Sequence, residues 1–265
     1  TGGYFGTVLG DNENDILEVG IGVPISTRLE SWSGFSLEYA GAGEAVMTWV
    51  DETGNGYDIR AQRIGAGAQP LWTTAEEGGI VVCDAPDDQS KMKVTPAWTE
   101  MPNSDGQFDT GAITTWRDNR FDDDGDVYMQ VLDQEGNFLF EENRRVVCDD
   151  PGQQAAPRVK TNQWNTYIVW EDKRNDSGDE NVDIYAQKLC MRSDICSGGY
   201  GSYMWEDNGQ PISAAGGSQN QVRLMADQDG VFFVWEDGRD NGDYVWNDIY
   251  LQHINHDSDN FSFSQ

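Results

Sequence analysis

The strongest constraint on the fold is a short pattern that occurs four times along the chain. Each copy consists of Trp-x-Asp, then a loop rich in Gly, Asn and Asp, then a segment related to Asp-Ile-Tyr-x-Gln. The tryptophans that open the copies are Trp49, Trp116, Trp170 and Trp235. A pattern that recurs in this way indicates one structural unit repeated in series.

Each copy is interpreted as one four-stranded antiparallel sheet. A short alternating segment comes first, at residues 35–39, 91–95, 158–161 and 221–225. The run that ends in tryptophan is apolar on both faces, which is typical of a strand in a sheet packed on both sides. The Asp-Ile-Tyr-x-Gln segment alternates as a half-buried strand does. The sequence therefore predicts an all-β, four-bladed β-propeller forming one domain, with blades at about residues 35–90, 91–156, 157–219 and 220–265.

The Trp-x-Asp-x-Arg and Asp-Ile-Tyr-x-Gln signatures resemble β-propeller repeats of secreted prokaryotic proteins, over about residues 35–265. The resemblance implies a propeller fold and an extracellular or cell-surface setting. It implies no activity, because propellers carry many functions. The first copy departs from the pattern, since Thr53 replaces the arginine and Arg60 replaces the tyrosine. An altered loop is expected in that blade.

The N-terminal segment, residues 1–34, precedes the first complete repeat, whereas the outer strand of the fourth repeat looks short. An unpaired sheet edge is a liability, so this segment is predicted to complete the fourth blade and close the ring. It could instead complete the blade of a neighbouring molecule, and self-association into oligomers or filaments would follow. A short fifth blade built from residues 1–43 is a third alternative.

The charge of the chain restricts its partners. The sequence has 47 acidic and 17 basic residues, for a net charge of −30. Such a surface repels nucleic acid and anionic lipid, so neither is expected as a partner. No run of about 18 apolar residues occurs, so no membrane insertion is expected. The chain starts at Thr1 without an initiator Met, which is interpreted as removal of a leader.

The four cysteines fall into two pairs. Cys190 and Cys196 flank a short polar loop and are predicted to form a local disulfide, which suits an oxidising compartment. Cys83 and Cys148 follow matching Val-Val sequences in neighbouring repeats. A bridge between subunits is one alternative for this second pair, and buried free thiols are the other.

The loops after Trp-x-Asp are dense in carboxylates. A calcium ion takes about six to eight oxygen ligands, and alternate side chains on a tight turn supply several. The sequence therefore offers calcium as a cofactor in at least one loop. The alternative is an acidic turn whose side chains bond their own backbone. The candidate ligands are Asp122, Asp124, Asp126, Asp176, Asp179, Asp183, Asp240, Asp243 and Asp248.

The aspartate of Trp-x-Asp invites a catalytic interpretation, because glycosidases use pairs of carboxylates. Catalysis needs an acid and a base in different environments, whereas here one aspartate recurs in every copy. A charge-assisted pair with the arginine two residues later is favoured instead, and no catalytic residue is assigned. The repeated tryptophans are assigned to the core. Ligand-binding aromatics are sought outside the repeat, at Trp72, Trp98, Trp164, Trp205 and Trp246.

Two functions remain open at this stage. The favoured prediction is a secreted, non-enzymatic structural or adhesive propeller that is stabilised by calcium and assembles through its N-terminal segment. The alternative is a carbohydrate-active propeller, either a glycoside hydrolase or a lectin, with surface glycans as partners. The alternative requires an asymmetric pocket lined by carboxylates that have no counterpart in the other repeats.

Overall fold

The computed structural model describes residue 25 and residues 34–53, 56–72, 78–102, 108–141, 145–162, 164–176, 181–192, 196–239 and 247–255. These residues form an all-β structure of four antiparallel sheets. The first sheet comprises β1 (Phe35–Gly41), β2 (Glu44–Thr53), β3 (Gly56–Ile64) and β4 (Ile80–Cys83). The second comprises β5 (Gln89–Pro102), β6 (Phe108–Asp118), β7 (Asp126–Leu132) and β8 (Arg145–Cys148). The third comprises β9 (Gln154–Thr161), β10 (Asn165–Asp172), β11 (Asp183–Cys190) and β12 (Gln210–Ser213). The fourth comprises β13 (Gln219–Ala226), β14 (Gly230–Asp237) and β15 (Asp248–Asn255).

Each sheet is a simple meander, with its strands paired in chain order. The first strands of the sheets pack against one another, β1 on β5, β5 on β9 and β9 on β13, so they line the axis of the assembly. This arrangement confirms the predicted all-β propeller with four antiparallel blades. Among the described residues the fourth blade has three strands.

The apolar runs that end in tryptophan are the second strands, as predicted. Trp49, Trp116 and Trp170 have no exposed surface, and Trp235 is also buried. β6 and β10 have both faces covered because blades pack on either side of them, which explains why their sequences do not alternate. Hydrogen bonds to the aspartate two residues later hold Trp116, Trp170 and Trp235 in place.

Three of the first strands contain the same irregularity. Lys91, Ala156 and Gln221 have positive φ angles of 56°, 48° and 56°, in the left-handed region that is costly for non-glycine residues. The pairing register shifts at each of these positions. The shift is a β-bulge, and the strand continues through it. The glutamine at the strand start and the residue four positions later therefore lie on the same strand.

The outward faces of the first and fourth sheets are apolar and exposed. Phe35, Leu37 and Tyr39 lie on β1, and Ile249 and Leu251 lie on β15. The prediction that the N-terminal segment closes the ring, in its own or a neighbouring molecule, falls outside the described residues. The structure contains no helix of the length and hydropathy needed to cross a membrane in the part of the chain that it describes.

Candidate functional site: the inner strands and their pocket

The repeated Trp-x-Asp-x-Arg residues form a compact unit that we call the Trp–Asp–Arg cluster. In the third sheet the Asp172 carboxylate accepts hydrogen bonds from Trp170 Nε1 at 2.7 Å and from Arg174 Nη2 at 2.7 Å. The backbone amide and Nε of Arg174 also donate to it, at 2.8 and 3.0 Å. The guanidinium lies 3.9 Å from the ring centroid of Tyr185, which comes from the Asp-Ile-Tyr segment. The second and fourth sheets repeat this geometry around Asp118 and Asp237.

Each Trp–Asp–Arg cluster also binds the preceding blade. Arg120 Nη2 donates to Cys83 Sγ at 3.2 Å, and Arg174 Nη2 donates to Cys148 Sγ at 3.0 Å. In the fourth sheet Arg239 Nη2 donates to Ser213 Oγ at 3.1 Å. The last strand of one blade is thereby joined to the second strand of the next. The repeated aspartates are therefore fully engaged in holding the blades together.

The two cysteine predictions have different outcomes. Cys190 and Cys196 form a disulfide, as predicted. Cys83 and Cys148 are buried and form no disulfide within the chain, which agrees with the alternative of buried thiols. Burial raises the pKa of each thiol to about 12, which keeps it protonated and unreactive at neutral pH.

In the first sheet a different residue forms the ion pair with the repeated aspartate. Arg60 occupies the place of the tyrosine and donates from Nε to Asp51 Oδ2 at 2.5 Å. Its Nη1 donates to the carbonyl of Gly79 at 3.3 Å. Among the described residues Trp49 Nε1 then has no hydrogen-bond partner, unlike its counterparts. The altered first blade that was expected from Thr53 and Arg60 is therefore present as a rearranged ion pair.

In the acidic loops, some of the side chains form hydrogen bonds to groups nearby in the same loop. Asp122 Oδ1 accepts a hydrogen bond from the backbone amide of Gly125 at 2.9 Å, and Asn175 Nδ2 donates to Asp183 at 2.9 Å. Burial and the neighbouring Asp122 raise the pKa of the buried Asp126 to about 6. Among the described residues, no group of three or more His, Cys, Asp or Glu side chains is assembled as a metal site. Asp124, Asp176 and Asp248 lie on described loops or strand ends, whereas Asp179, Asp240 and Asp243 lie outside the described residues. Calcium stays a prediction.

The aromatic residues singled out as ligand candidates are mainly packing residues. Trp72 and Trp205 are buried, and Trp72 Nε1 donates to the carbonyl of Gln134 at 2.9 Å. Trp164 is partly exposed and lies under the guanidinium of Arg192. The side chain of Trp98 and the whole of Trp246 lie outside the described residues.

The axial positions, unlike the clusters, differ between repeats. On each first strand, one residue pairs with the residue that immediately precedes the repeated tryptophan on the second strand. In the four sheets this residue is Ser36, Lys93, Arg158 and Arg223, in that order. Two residues further along the first strands the equivalent side chains are Glu38, Thr95, Lys160 and Met225. Lys160 Nζ and Glu38 Oε1 form an ion pair at 2.6 Å between the third and first sheets. This contact places side chains of non-adjacent blades together at the axis.

A cavity of about 230 Å³ opens between the first and second sheets, and we call it the inner pocket. Its lining residues are Gly34, Phe35, Val50, Tyr57, Gln89, Ser90, Lys91, Met92 and Lys93. No local sequence pattern indicates this pocket, because residues of β1, β2, β3 and β5 meet there only once the blades have packed.

Gln89 at the base of the inner pocket is fully buried. Its Nε2 donates to backbone carbonyls of the preceding loop, among them Asp87 O at 2.9 Å. Among the described residues its Oε1 has no hydrogen-bond partner and is buried from solvent, and the same is true of Gln154 and Gln219 in the next two repeats. Because the arrangement recurs, we assign Gln89 to the fold.

One carboxylate near the axis has no acidic counterpart in the first or second repeat. Glu171 stands between Trp170 and Asp172, where those repeats have Val50 and Arg117. Its Oε1 accepts a hydrogen bond from the backbone amide of Gln221 in the fourth sheet at 2.9 Å. Burial raises the pKa of Glu171 above its ordinary value, although Arg158 and Arg223 act in the opposite direction.

No family model and no curated protein sequence matches the chain. Several solved structures do match the chain. A GH93 α-L-arabinofuranosidase of Fusarium graminearum in complex with arabinobiose is 9% identical, with a TM-score of 0.47, over 83% of this chain and 61% of that enzyme. An α-L-arabinanase of Penicillium chrysogenum complexed with arabinobiose is 10% identical, with a TM-score of 0.47, over 87% of this chain and 64% of that enzyme. An exo-1,5-α-L-arabinanase from a bovine ruminal metagenomic library is 13% identical, with a TM-score of 0.45, over 91% and 83% of the two chains.

These comparisons contradict the favoured prediction of a non-enzymatic structural or adhesive module. The similar structures are carbohydrate-active enzymes, so the findings favour the alternative prediction, a carbohydrate-active propeller. At such low identities the likeness is one of fold, and the chain spans about three fifths of the length of the Fusarium enzyme. What those enzymes hydrolyse is therefore a property of those enzymes.

Proposed function

We propose that this protein is a carbohydrate-binding β-propeller whose ligand site is the inner pocket together with the axial side chains beside it. The observation that carries the proposal is where the repeats agree and where they differ. They agree at the Trp–Asp–Arg clusters, which hold the blades together. They differ at the axis, where Ser36, Lys93 and Arg158 occupy equivalent positions. Variation at equivalent positions gives a symmetric scaffold an asymmetric binding surface.

The chemistry of the inner pocket suits a sugar ring. A sugar offers apolar C–H faces, which pack on aromatic rings, and hydroxyl groups, which need donors and acceptors. Tyr57 lines the pocket and is partly exposed, so its ring is available for packing. Ser90 contributes a hydroxyl group to the lining, and Lys91 and Lys93 contribute ammonium groups. The cavity of about 230 Å³ admits one sugar ring and leaves the rest of a chain in solvent.

Two described carboxylates lie near the axis at different levels. Glu38 pairs with Lys160, which lies opposite Tyr167 on β10, and Glu171 is four residues further along β10. Four residues of strand span about 13 Å. The proposal therefore concerns binding of a saccharide and assigns no catalytic pair.

We further propose that the protein works outside the cell. The Cys190–Cys196 disulfide supports this location, because disulfides persist in oxidising compartments. The repeat signatures, which resemble those of secreted prokaryotic propellers, point to the same setting. A soluble or surface-bound glycan is then accessible as the ligand.

A glycan array followed by calorimetric titration tests the proposal on three proteins: the wild type, Tyr57→Ala and Tyr39→Ala. Tyr39 also belongs to the first sheet, is 71% exposed and does not line the inner pocket, so it is the matched control. We expect Tyr57→Ala to weaken saccharide binding by about tenfold, since an aromatic contact contributes on the order of 1 kcal/mol beyond buried area. Tyr39→Ala should bind as the wild type does.

Two results would overturn the proposal. One is a wild-type protein that binds no saccharide on the array. The other is a Tyr57→Ala variant whose affinity equals that of the wild type. The bound saccharides are also incubated with the protein and analysed for products, and release of sugar would show that binding is accompanied by hydrolysis.

A further inference from the structure

Basic side chains are concentrated at the axis of a strongly acidic protein. The chain has 17 Lys and Arg residues against 47 Asp and Glu residues. Five of the 17 lie on the first strands, namely Lys91, Lys93, Arg158, Lys160 and Arg223. Lys93, Arg158 and Arg223 are equivalent residues of three successive blades, and we call them the basic ring.

The members of the basic ring converge. Arg158 Nε in the third sheet and Arg223 Nη1 in the fourth both donate to the carbonyl oxygen of Val222, each at 2.9 Å. Two guanidinium groups therefore lie next to each other on one acceptor. Lys93 donates to the carbonyl of Met92 at 3.1 Å and lines the inner pocket, so the ring and the pocket are continuous.

The basic ring lacks the counter-charge that its neighbour has. Lys160, one level further along the axis, is paired with Glu38 at 2.6 Å. Among the described residues, no carboxylate oxygen lies within 4.0 Å of the cationic nitrogens of Lys93, Arg158 or Arg223. Glu171 acts on Arg158 and Arg223 over a longer distance, and it is occupied by the amide of Gln221.

The burial and proximity of these cations lower the pKa values of Lys93 and Arg158. Burial, followed by the charges of Arg158 and Arg223, lowers the pKa of Lys93 below its ordinary value. Burial and Arg223 likewise lower the pKa of Arg158. Cations that repel one another destabilise the fold, and proteins commonly accept such a penalty where a ligand is bound.

We propose that the basic ring binds the anionic group of an acidic saccharide whose sugar ring occupies the inner pocket. The anionic group is a carboxylate, as in a uronic acid, or a sulfate ester. Both present several oxygens to a guanidinium fork, which donates to two of them at once. Ser36 completes the fourth position of the ring without adding a charge. This inference rests on the proposed carbohydrate-binding function and specifies its ligand class.

The test compares four ligands by calorimetric titration at about 0.15 M salt, where screening limits repulsion by the acidic surface. The ligands are a trigalacturonate, its methyl-esterified neutral form, a sulfated galacto-oligosaccharide and inorganic sulfate. The proteins are the wild type, Arg158→Gln, Arg223→Gln and Lys173→Gln. Lys173 lies in the loop after β10, outside the basic ring, and its substitution removes one positive charge from the chain as a matched control.

We expect an acidic saccharide to bind the wild type at least about tenfold more tightly than the neutral ester, because a hydrogen bond to a charged group contributes on the order of 1.5–3 kcal/mol. Arg158→Gln and Arg223→Gln should remove that preference, and Lys173→Gln should keep it. Whether trigalacturonate or the sulfated ligand binds more tightly identifies the anionic group. A thermal melt of each free protein shows whether it is folded, and relief of repulsion should raise the melting temperature of Arg223→Gln.

The outcomes separate this inference from the proposed function. Equal binding of the acidic and neutral saccharides would overturn the inference and leave carbohydrate binding intact. Unchanged affinity of both arginine variants for the acidic saccharide would do the same. Inorganic sulfate that binds as tightly as the acidic saccharides would show an anion site without sugar recognition. Absence of binding by every saccharide would overturn the proposed function itself.

Discussion

Removing the aspartate of one Trp–Asp–Arg cluster provides the sharpest test of how the propeller is held together. Asp172 has no exposed side-chain surface, and the Arg174 side chain is 11% exposed. Asp172→Ala deletes the acceptor of Trp170 Nε1 and of three groups of Arg174. Breaking a buried ion pair by removing one partner costs about 3–5 kcal/mol, because the remaining charge stays buried. Arg174 retains Asp150 at 3.3 Å, so we expect a loss of about 3 kcal/mol.

The fourth sheet supplies the matched comparison. Asp237 is equally buried and accepts the same bonds from Arg239, but the Arg239 side chain is 31% exposed. Once its partner is gone, Arg239 can be hydrated, so Asp237→Ala should cost about 1–2 kcal/mol. Urea unfolding of both variants at pH 7 measures the difference from the midpoints, provided that the m-value is unchanged.

A double variant separates the lost pair from the stranded charge. In Asp172→Ala combined with Arg174→Met no charge remains buried at the cluster. The double variant should therefore lose less free energy of unfolding than the sum of the losses in the two single variants. The reasoning fails if Asp172→Ala costs under about 1 kcal/mol, or if Asp237→Ala costs more than Asp172→Ala. Either result would mean that the clusters accompany the fold without stabilising it.

The remaining predictions concern the first sheet, pH, the disulfide and calcium. Arg60→Tyr installs the residue of the other repeats but leaves Asp51 buried without a cation, so urea unfolding should show a loss of about 3 kcal/mol, and a neutral result would contradict the rearranged ion pair. The pKa of Asp126 is raised from 3.8 to about 6, so the folded state binds this proton more tightly than the unfolded state does. The contribution of Asp126 to stability should therefore fall as pH rises from about 4 to 6. Asp126→Asn should remove that dependence in unfolding curves taken at both pH values. Replacing both Cys190 and Cys196 by Ser should cost about 2 kcal/mol, from the entropy of a short closed loop, and an unchanged midpoint would show that the disulfide is not stabilising. If an acidic loop binds calcium, a chelator should lower the melting temperature of the native protein, and an unchanged melting temperature would remove the calcium prediction.

The sheets could be predicted because each carries its own local signal. The run before Trp116 is apolar on both faces, and it lies inside β6 as predicted. The beginnings of the first strands were placed too late. β5 begins at Gln89 and β9 at Gln154, whereas the predictions began at Lys91 and Arg158. The positive φ angles of Lys91 and Ala156 shift the register there, so the alternation expected of a strand appears only after the bulge.

The candidate site could not be predicted from local patterns. Lys93 and Arg158 read as solvated residues on alternating strands, and their proximity depends on how neighbouring blades pack. A signal was nonetheless present in the chain, since a basic residue follows four positions after Gln89, Gln154 and Gln219. Its meaning becomes clear only with the pairing register, which places those residues at one level of the axis.

Changes at repeated positions are compensated in this protein where they concern the fold, and this distinction supports the proposed function of the axis. Ser213 replaces the cysteine of the other blades and still accepts a hydrogen bond from Arg239. Arg60 stands where the other blades have tyrosine and supplies the cation that position 53 lacks. No described carboxylate compensates the basic ring in this way, although every blade could have kept a neutral residue there, as the first blade does with Ser36. The proposed anionic ligand would supply a partner for these charges, which no described carboxylate pairs at short range.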